Sequence, residues 1–175
     1  MAGFLADSLT IIRFVLAGVM VGLGVVYGQA AIIPAVILAM VAWFTDNLDG
    51  FLSRSDPQHV PSWIGRHEFA ADVLFTWASW LYFTLSGFIP GWLTAGFTVL
   101  AAAVSLWFRR KPVVVLFLRI IDVTLAVVLF YYYPTLGVIV AIYLVTLAIV
   151  KWQRLAQGVP AWARSLRDIL RGKGE

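Results

Sequence analysis

The sequence from Leu9 to Tyr27 reads LTIIRFVLAGVMVGLGVVY and carries a single charged residue, Arg13. A helix needs about 20 predominantly apolar residues to cross a membrane. This stretch meets that requirement and predicts a membrane-spanning helix. It is longer than the apolar core of a typical signal peptide, and further apolar stretches follow it. We therefore expect a span here and not a cleaved leader.

Five further stretches have the same apolar character, and turn residues or charges separate them. They run from about Ile32 to Leu52, His67 to Ser86, Trp92 to Phe108, Val113 to Tyr132 and Thr135 to Trp152. Of the 175 residues, 62% are hydrophobic and 13% are charged, whereas soluble domains average about 45–50% apolar and about 25% charged. A soluble core of this size could not bury so many apolar side chains. The sequence therefore predicts an all-α integral membrane protein, a single domain over residues 1–175 with six transmembrane helices over about 9–152.

The tail, residues 153–175, has a different pattern. Trp162, Leu166, Ile169 and Leu170 fall near one face at helical spacing, and arginines occupy other positions. This arrangement favours an interfacial amphipathic helix on the membrane surface. A solvated tail without such a helix is the alternative.

The distribution of Lys and Arg predicts the orientation. The turns at Gly28, Gly87 and Pro134 carry neither residue, whereas the loops over 53–66 and 109–111 and the tail carry most of them. The positive-inside rule then places these loops and both termini in the cytoplasm, and we expect a prokaryotic cytoplasmic membrane. The net charge of +4 suits anionic lipid, and we expect no nucleic-acid partner.

Charged residues inside the predicted spans indicate a site, because each costs about 2.5–3.5 kcal/mol at a helix centre. All of them lie in the predicted cytoplasmic halves. A one-sided cluster favours a cavity open to the cytoplasm over a route through the membrane. A small ion-coupled transporter, which also uses intramembrane carboxylates, and paired charges at helix ends remain alternatives. The residues are Arg13, Asp46, Asp49, Glu68, Asp72, Arg119 and Asp122.

The strongest pattern is the run Asp46-Asn47-Leu48-Asp49-Gly50-Phe51-Leu52-Ser53-Arg54. At helical spacing, positions 46, 49, 50, 53 and 54 fall within an arc of about 140°. Glu68 and Asp72 follow, one turn apart at the start of the third span. Clustered carboxylates repel one another, and an all-oxygen ligand set without Cys favours Mg²⁺, Mn²⁺ or Ca²⁺ over Zn²⁺. Together with a glycine and a phosphate-compatible arginine, the pattern predicts a metal-assisted phosphoryl-transfer site.

This pattern resembles the signature of the CDP-alcohol phosphotransferase (CDP-alcohol phosphatidyltransferase) family, D-x2-D-G-x2-A-R followed after eight residues by G-x3-D-x3-D. Here Ser53 replaces the usual Ala and Glu68 replaces the usual third Asp, so the chain resembles a divergent member. The interval from Asp46 to Glu68 is one residue longer, and Gly65 lies one residue nearer the following acid. The segment Ser8–Arg13 also resembles the first helix of the family.

The resemblance implies an enzyme of phospholipid synthesis. It would transfer a phosphatidyl-type group from a CDP-diacylglycerol-like donor to a small alcohol, with release of CMP, and it would act as a homodimer. One or two Mg²⁺ or Mn²⁺ ions would be held by Asp46, Asp49, Glu68 and Asp72. By the same resemblance, Asp72 would be the general base, and the CDP moiety would contact Gly50, Ser53 and Arg54.

Two details of the sequence have more than one interpretation. Arg119 lies three residues before Asp122 on the fifth span. The two residues could form an ion pair with each other, or Arg119 could bind a substrate phosphate. Gly18, Gly22 and Gly24 offer small residues for helix contact, either between two copies of the chain or within one chain.

Overall fold

The computed structural model describes the backbone of residues 2–55, 67–150 and 152–170, and the side chains of these residues except at 2–7, 49–55, 153–155, 166, 169 and 170. Within these ranges the chain is all-helical, with one short 3-10 turn at Gly28–Ala31. The α-helices are α1 (Ala2–Val26), α2 (Ile32–Ser55), α3 (Glu68–Leu85), α4 (Gly91–Phe108), α5 (Lys111–Tyr132), α6 (Pro134–Val150) and α7 (Trp152–Leu170).

The helix boundaries agree with the predicted breaks because glycine and proline interrupt the apolar runs. Gly28 and Gly87 adopt left-handed backbone angles, with φ of +54° and +78°, which glycine reaches without steric cost. Pro112 lies in the first turn of α5, where its missing N–H group costs no helical hydrogen bond. The helix therefore begins at Lys111 and not after the proline, as the sequence had suggested.

Among the described residues, four segments are long and apolar enough to cross a membrane: Ser8–Val26, Gly28–Leu48, Gly91–Phe108 and Lys111–Tyr132. Helix α6 is apolar but has only 17 residues. Helix α3 is not among the four, and its two acids and several Trp and Tyr residues lower its hydropathy. The structure thus confirms an all-helical chain with helices suited to a membrane, and the count of six spans stays a prediction.

The first compact unit, Met1–Ala95, is organised around α1, which packs against both α2 and α3. One face of α1 is buried at intervals of three and four residues. Gly24, on this face, allows close helix packing, since a Cβ built there lies 3.2 Å from Cα of Tyr82. The face consists of Thr10, Arg13, Ala17, Met20 and Gly24.

The second unit, Gly96–Glu175, contains a hairpin of α5 and α6, which contact each other along the chain and are joined through Tyr133. Helix α7 contacts both of them. The described part of the tail is thus helical, and its helix begins at Trp152, at the start of the predicted tail. Residues such as Gln153, Arg154 and Leu155 favour helix, so the helix starts directly after α6.

Candidate metal centre

Three acids that are distant in sequence meet in the first unit. Asp46 lies on α2, whereas Glu68 and Asp72 lie one turn apart at the start of α3. One carboxylate oxygen from each of them lies within 4.8 Å of the others, and all three residues are half-buried. The structure therefore brings together three of the four acids that the sequence predicts as metal ligands.

The two residues that flank Asp46 form side-chain hydrogen bonds within α2. The Thr45 hydroxyl donates to the carbonyl of Ala42 at 2.8 Å, and the Asn47 amide donates to the carbonyl of Trp43 at 2.5 Å. Such bonds to the preceding turn satisfy polar side chains that a helix buries. Asp46 is therefore the side chain that this turn of α2 contributes to the acidic cluster.

A buried arginine joins the acids. Arg13 on α1 is only 1% exposed, and its Nη1 donates a hydrogen bond to Oδ1 of Asp72. The same nitrogen lies 3.5 Å from Oδ1 of Asp46. Since α1 packs against both α2 and α3, one guanidinium group reaches acids on two helices.

Arg13 compensates the acidic cluster only in part. Two like charges at 4.8 Å repel by about 3 kcal/mol at an effective dielectric constant of about 20. The three carboxylates together carry more negative charge than Arg13 alone can compensate. A divalent cation would lower their mutual repulsion further.

The donor set fits a hard divalent cation. Each acid offers carboxylate oxygen, which Mg²⁺ and Mn²⁺ prefer. Opposite ligands of Mg²⁺ lie about 4.2 Å apart, twice the metal–oxygen distance, and the three oxygens already lie within 4.8 Å. A small side-chain adjustment would therefore bring Asp46, Glu68 and Asp72 into one coordination shell.

The structure does not describe the side chains of the other residues predicted for this site. The last two turns of α2 carry Asp49, Gly50, Ser53 and Arg54, whose backbone is helical and whose side chains lie outside the described residues. Gly65 also lies outside the described residues. Their proposed roles at the metal and the CDP moiety stay predictions.

Arg119 forms the ion pair that its spacing allows. Its Nη1 lies 2.7 Å from Oδ2 of Asp122, one turn along α5. The Arg119 side chain is 67% exposed and that of Asp122 is 26% exposed. The pairing interpretation is thus confirmed, and the role of Arg119 at a phosphate stays a prediction.

The sequence places Arg13 among the charged residues that indicate a site, but it does not show that this arginine reaches acids on two other helices. A signal was present: Thr10, Arg13, Ala17, Met20 and Gly24 recur every three or four residues along the first span. An arginine within such a stripe faces the helices that α1 packs against.

No protein-family model, curated protein or solved structure matches this chain. The geometry of the acidic cluster and the resemblance of the signature are therefore the grounds for a functional proposal.

Proposed function

We propose that this chain is a membrane-embedded CDP-alcohol phosphotransferase of phospholipid synthesis. The observation that carries the proposal is the convergence of Asp46, Glu68 and Asp72, whose oxygens lie within 4.8 Å of one another. These are three of the four acids of the resembling signature, and they come from two different helices. Helix ends that merely carried paired charges would not need carboxylates from two helices to converge within this distance.

The reaction is a substitution at phosphorus. The hydroxyl oxygen of the acceptor attacks the phosphorus atom that bears the lipid, the bond from that phosphorus to the CMP oxygen breaks, and CMP leaves. The hydroxyl proton passes to the carboxylate of Asp72, the general base. A bound Mg²⁺ or Mn²⁺ would neutralise the charge of the pyrophosphate and of the leaving group.

The remaining roles in the proposed reaction belong to residues of the chain. The metal would be held by Asp46, Asp49, Glu68 and Asp72. Arg13 keeps two of these acids in place through its buried guanidinium group. Gly50, Ser53 and Arg54, which follow on α2, contact the CDP moiety. Arg119 is a further candidate for a phosphate contact.

The membrane setting is part of the same proposal. We propose six spans, formed by α1 to α6, with α7 as an interfacial helix. The loops rich in Lys and Arg, the site and both termini face the cytoplasm of a prokaryotic cell. The donor's acyl chains remain in the bilayer while its head group enters the site from the cytoplasmic side.

We also propose that two copies of the chain form a homodimer. Of the three glycines of α1 considered above, Gly24 packs against α3 within the chain. Gly18 and Gly22 are exposed, and a Cβ built at either position meets no atom within 4 Å. A contact between two copies would therefore use Gly18 and Gly22 and not Gly24.

The decisive experiment is an assay of the purified protein in lipid nanodiscs with CDP-diacylglycerol and a panel of alcohols. We expect CMP to appear with Mg²⁺ or Mn²⁺, in the presence of one of the alcohols, and to disappear with a chelator. Absence of CMP with every acceptor would refute the proposal. Uptake of a cation into proteoliposomes, in place of CMP release, would favour the transporter.

A further inference from the structure

Helix α7 is divided lengthwise into an apolar and a polar side. At 100° per residue, its large apolar residues fall within an arc of roughly 100° and its arginines and Asp168 lie outside that arc. Two described members of the apolar side are exposed, Trp152 at 68% and Val159 at 54%, whereas Trp162 is half-buried. The apolar residues are Trp152, Leu155, Val159, Trp162, Leu166, Ile169 and Leu170.

A cationic turn lies between α4 and α5. Arg109, Arg110 and Lys111 are consecutive and exposed. Arg109 has a left-handed backbone with φ of +47°, a conformation that costs a non-glycine residue roughly 1–2 kcal/mol. The chain thus carries a cation at a position where glycine would be favoured by the backbone.

The cationic turn and α7 lie at the same end of the α5–α6 hairpin. Helix α5 begins where the turn ends, α6 returns along α5, and α7 follows α6 directly. The indole Nε1 of Trp162 donates a hydrogen bond to the carbonyl of Pro112 at 3.2 Å. This contact holds the middle of α7 beside the first turn of α5.

The polar side of α7 adds to this positive charge. Arg164 and Arg167 are exposed, and Arg164 also donates to the carbonyl of Pro160 at 3.3 Å. Asp168 is the one acid among the described residues of α7. On the same wheel Arg167 lies about 60° and Arg164 about 120° beyond the edge of the apolar arc, so positive charge from α7 and from the cationic turn borders the apolar side.

We propose that α7 and the Arg109–Lys111 turn form a binding surface for anionic phospholipid head groups. The surface lies at the end of a hairpin whose helix α5 is apolar and long enough to cross a membrane, so this end meets the bilayer interface. The apolar side of α7 enters the boundary between head groups and acyl chains, and the cations contact lipid phosphates. The inference rests on the interfacial position of α7 proposed above, and it is independent of the acidic cluster and of the proposed reaction.

The chain contains no cysteine, so a single introduced cysteine can carry a spin label. Ala163 is exposed and lies about 20° beyond the edge of the apolar arc, so Ala163→Cys places the label at the border of the apolar side of α7. The labelled full-length protein is reconstituted in nanodiscs of phosphatidylcholine alone, or of phosphatidylcholine with phosphatidylglycerol. Accessibility of the label to oxygen and to a water-soluble nickel chelate then reports its depth.

We expect the label to lie deeper in the anionic discs, and molar salt to reverse this, since the Debye length falls to about 3 Å. Each cation near an anionic surface raises the ratio of docked to undocked α7 about fivefold. The double substitution Arg164→Gln with Arg167→Gln should therefore lower this ratio by about thirtyfold. Asp168→Asn is the matched control, because it removes a negative charge and should leave docking equal or stronger.

Two outcomes would overturn the proposal. Equal depth in both lipid compositions, unaffected by the arginine substitutions, would mean that head-group charge has no role. Protection of the label from both reagents in both compositions would mean that protein covers the apolar side, either the same chain or a second copy.

Discussion

Arg13 and Asp72 are joined by a direct hydrogen bond between Nη1 and Oδ1, although they lie 59 residues apart in sequence. The Arg13 side chain is 1% exposed and that of Asp72 is 34% exposed, so a buried cation holds a carboxylate that still reaches the surface. The same guanidinium group lies 3.5 Å from Asp46. The arginine thus links α1, α2 and α3 at the place where the acids meet.

Arg13→Leu should destabilise the fold, because it leaves two half-buried acids without their cation. Removing one partner of a fully buried pair costs about 3–5 kcal/mol, and we expect about 1–3 kcal/mol here because Asp46 and Asp72 remain partly exposed. Thermal unfolding in detergent measures the change. Arg13→Lys is the control that retains the charge. A stability of Arg13→Leu equal to that of the unchanged chain would show that the ion pairs contribute nothing.

Asp46→Asn and Asp49→Asn should each abolish metal-dependent CMP release and leave the fold intact. The amide keeps the shape of the side chain but removes the charge that the metal requires. Turnover is measured across a Mg²⁺ titration, together with the unfolding temperature. Asp168→Asn, on α7, is the matched control and should keep normal turnover. If either α2 variant retained near-normal turnover, its carboxylate would not be a metal ligand.

Asp72→Asn should lower turnover more than it weakens binding of the CDP-lipid, since a general base acts in the chemical step. The measurement is turnover at saturating lipid beside CDP-lipid affinity. Lost affinity with an unchanged maximal rate would make Asp72 a binding residue and not the base.

Glu68 offers a separate test of the ligand set. Glu68→Asp should be tolerated because it restores the acid of the signature, whereas Glu68→Ala should weaken metal binding and shift the Mg²⁺ dependence to higher concentration. Comparison of the two variants separates loss of the carboxylate from a change in its reach. An unchanged Mg²⁺ dependence in Glu68→Ala would remove this residue from the metal site.

Gly24→Ala should destabilise the packing of α1 against α3. The new Cβ would lie 3.2 Å from Cα of Tyr82 and 3.2 Å from Cβ of Leu85, and backbone atoms yield little. We expect a cost of about 1–3 kcal/mol, the range for overpacked sites, in thermal unfolding. Gly96→Ala, at an exposed glycine of α4 outside the proposed dimer contact, is the matched control. Its Cβ meets no atom within 4 Å, so the change should be neutral or stabilising by up to about 1 kcal/mol.

Gly18→Leu should disrupt the proposed homodimer without unfolding the chain, because the added side chain enters open space in the single copy but would separate two close helices. Mass measurement of the detergent-solubilised protein, with Gly96→Leu on α4 as a control at another open glycine, reports the oligomeric state. An unchanged chain that is monomeric and active would argue against the dimer altogether.

The helix boundaries could be predicted from the sequence because they depend on local chemistry. Apolar runs of membrane-spanning length end at Gly28, Gly87 and Pro134, where the backbone turns or a helix can start. The tail was less predictable, since Pro160 lies inside α7 and a proline is more often found at a helix end.

Part of the candidate site could likewise be predicted from the sequence, and part could not. Helical spacing alone places Glu68 and Asp72 on one face of α3, and the residue types alone favour a hard cation. The sequence could not determine that Arg13 lies beside Asp72 and Asp46, because this depends on how α1 is rotated and packed against two other helices. Local spacing determines which residues share a face of one helix, whereas only tertiary packing decides which faces meet.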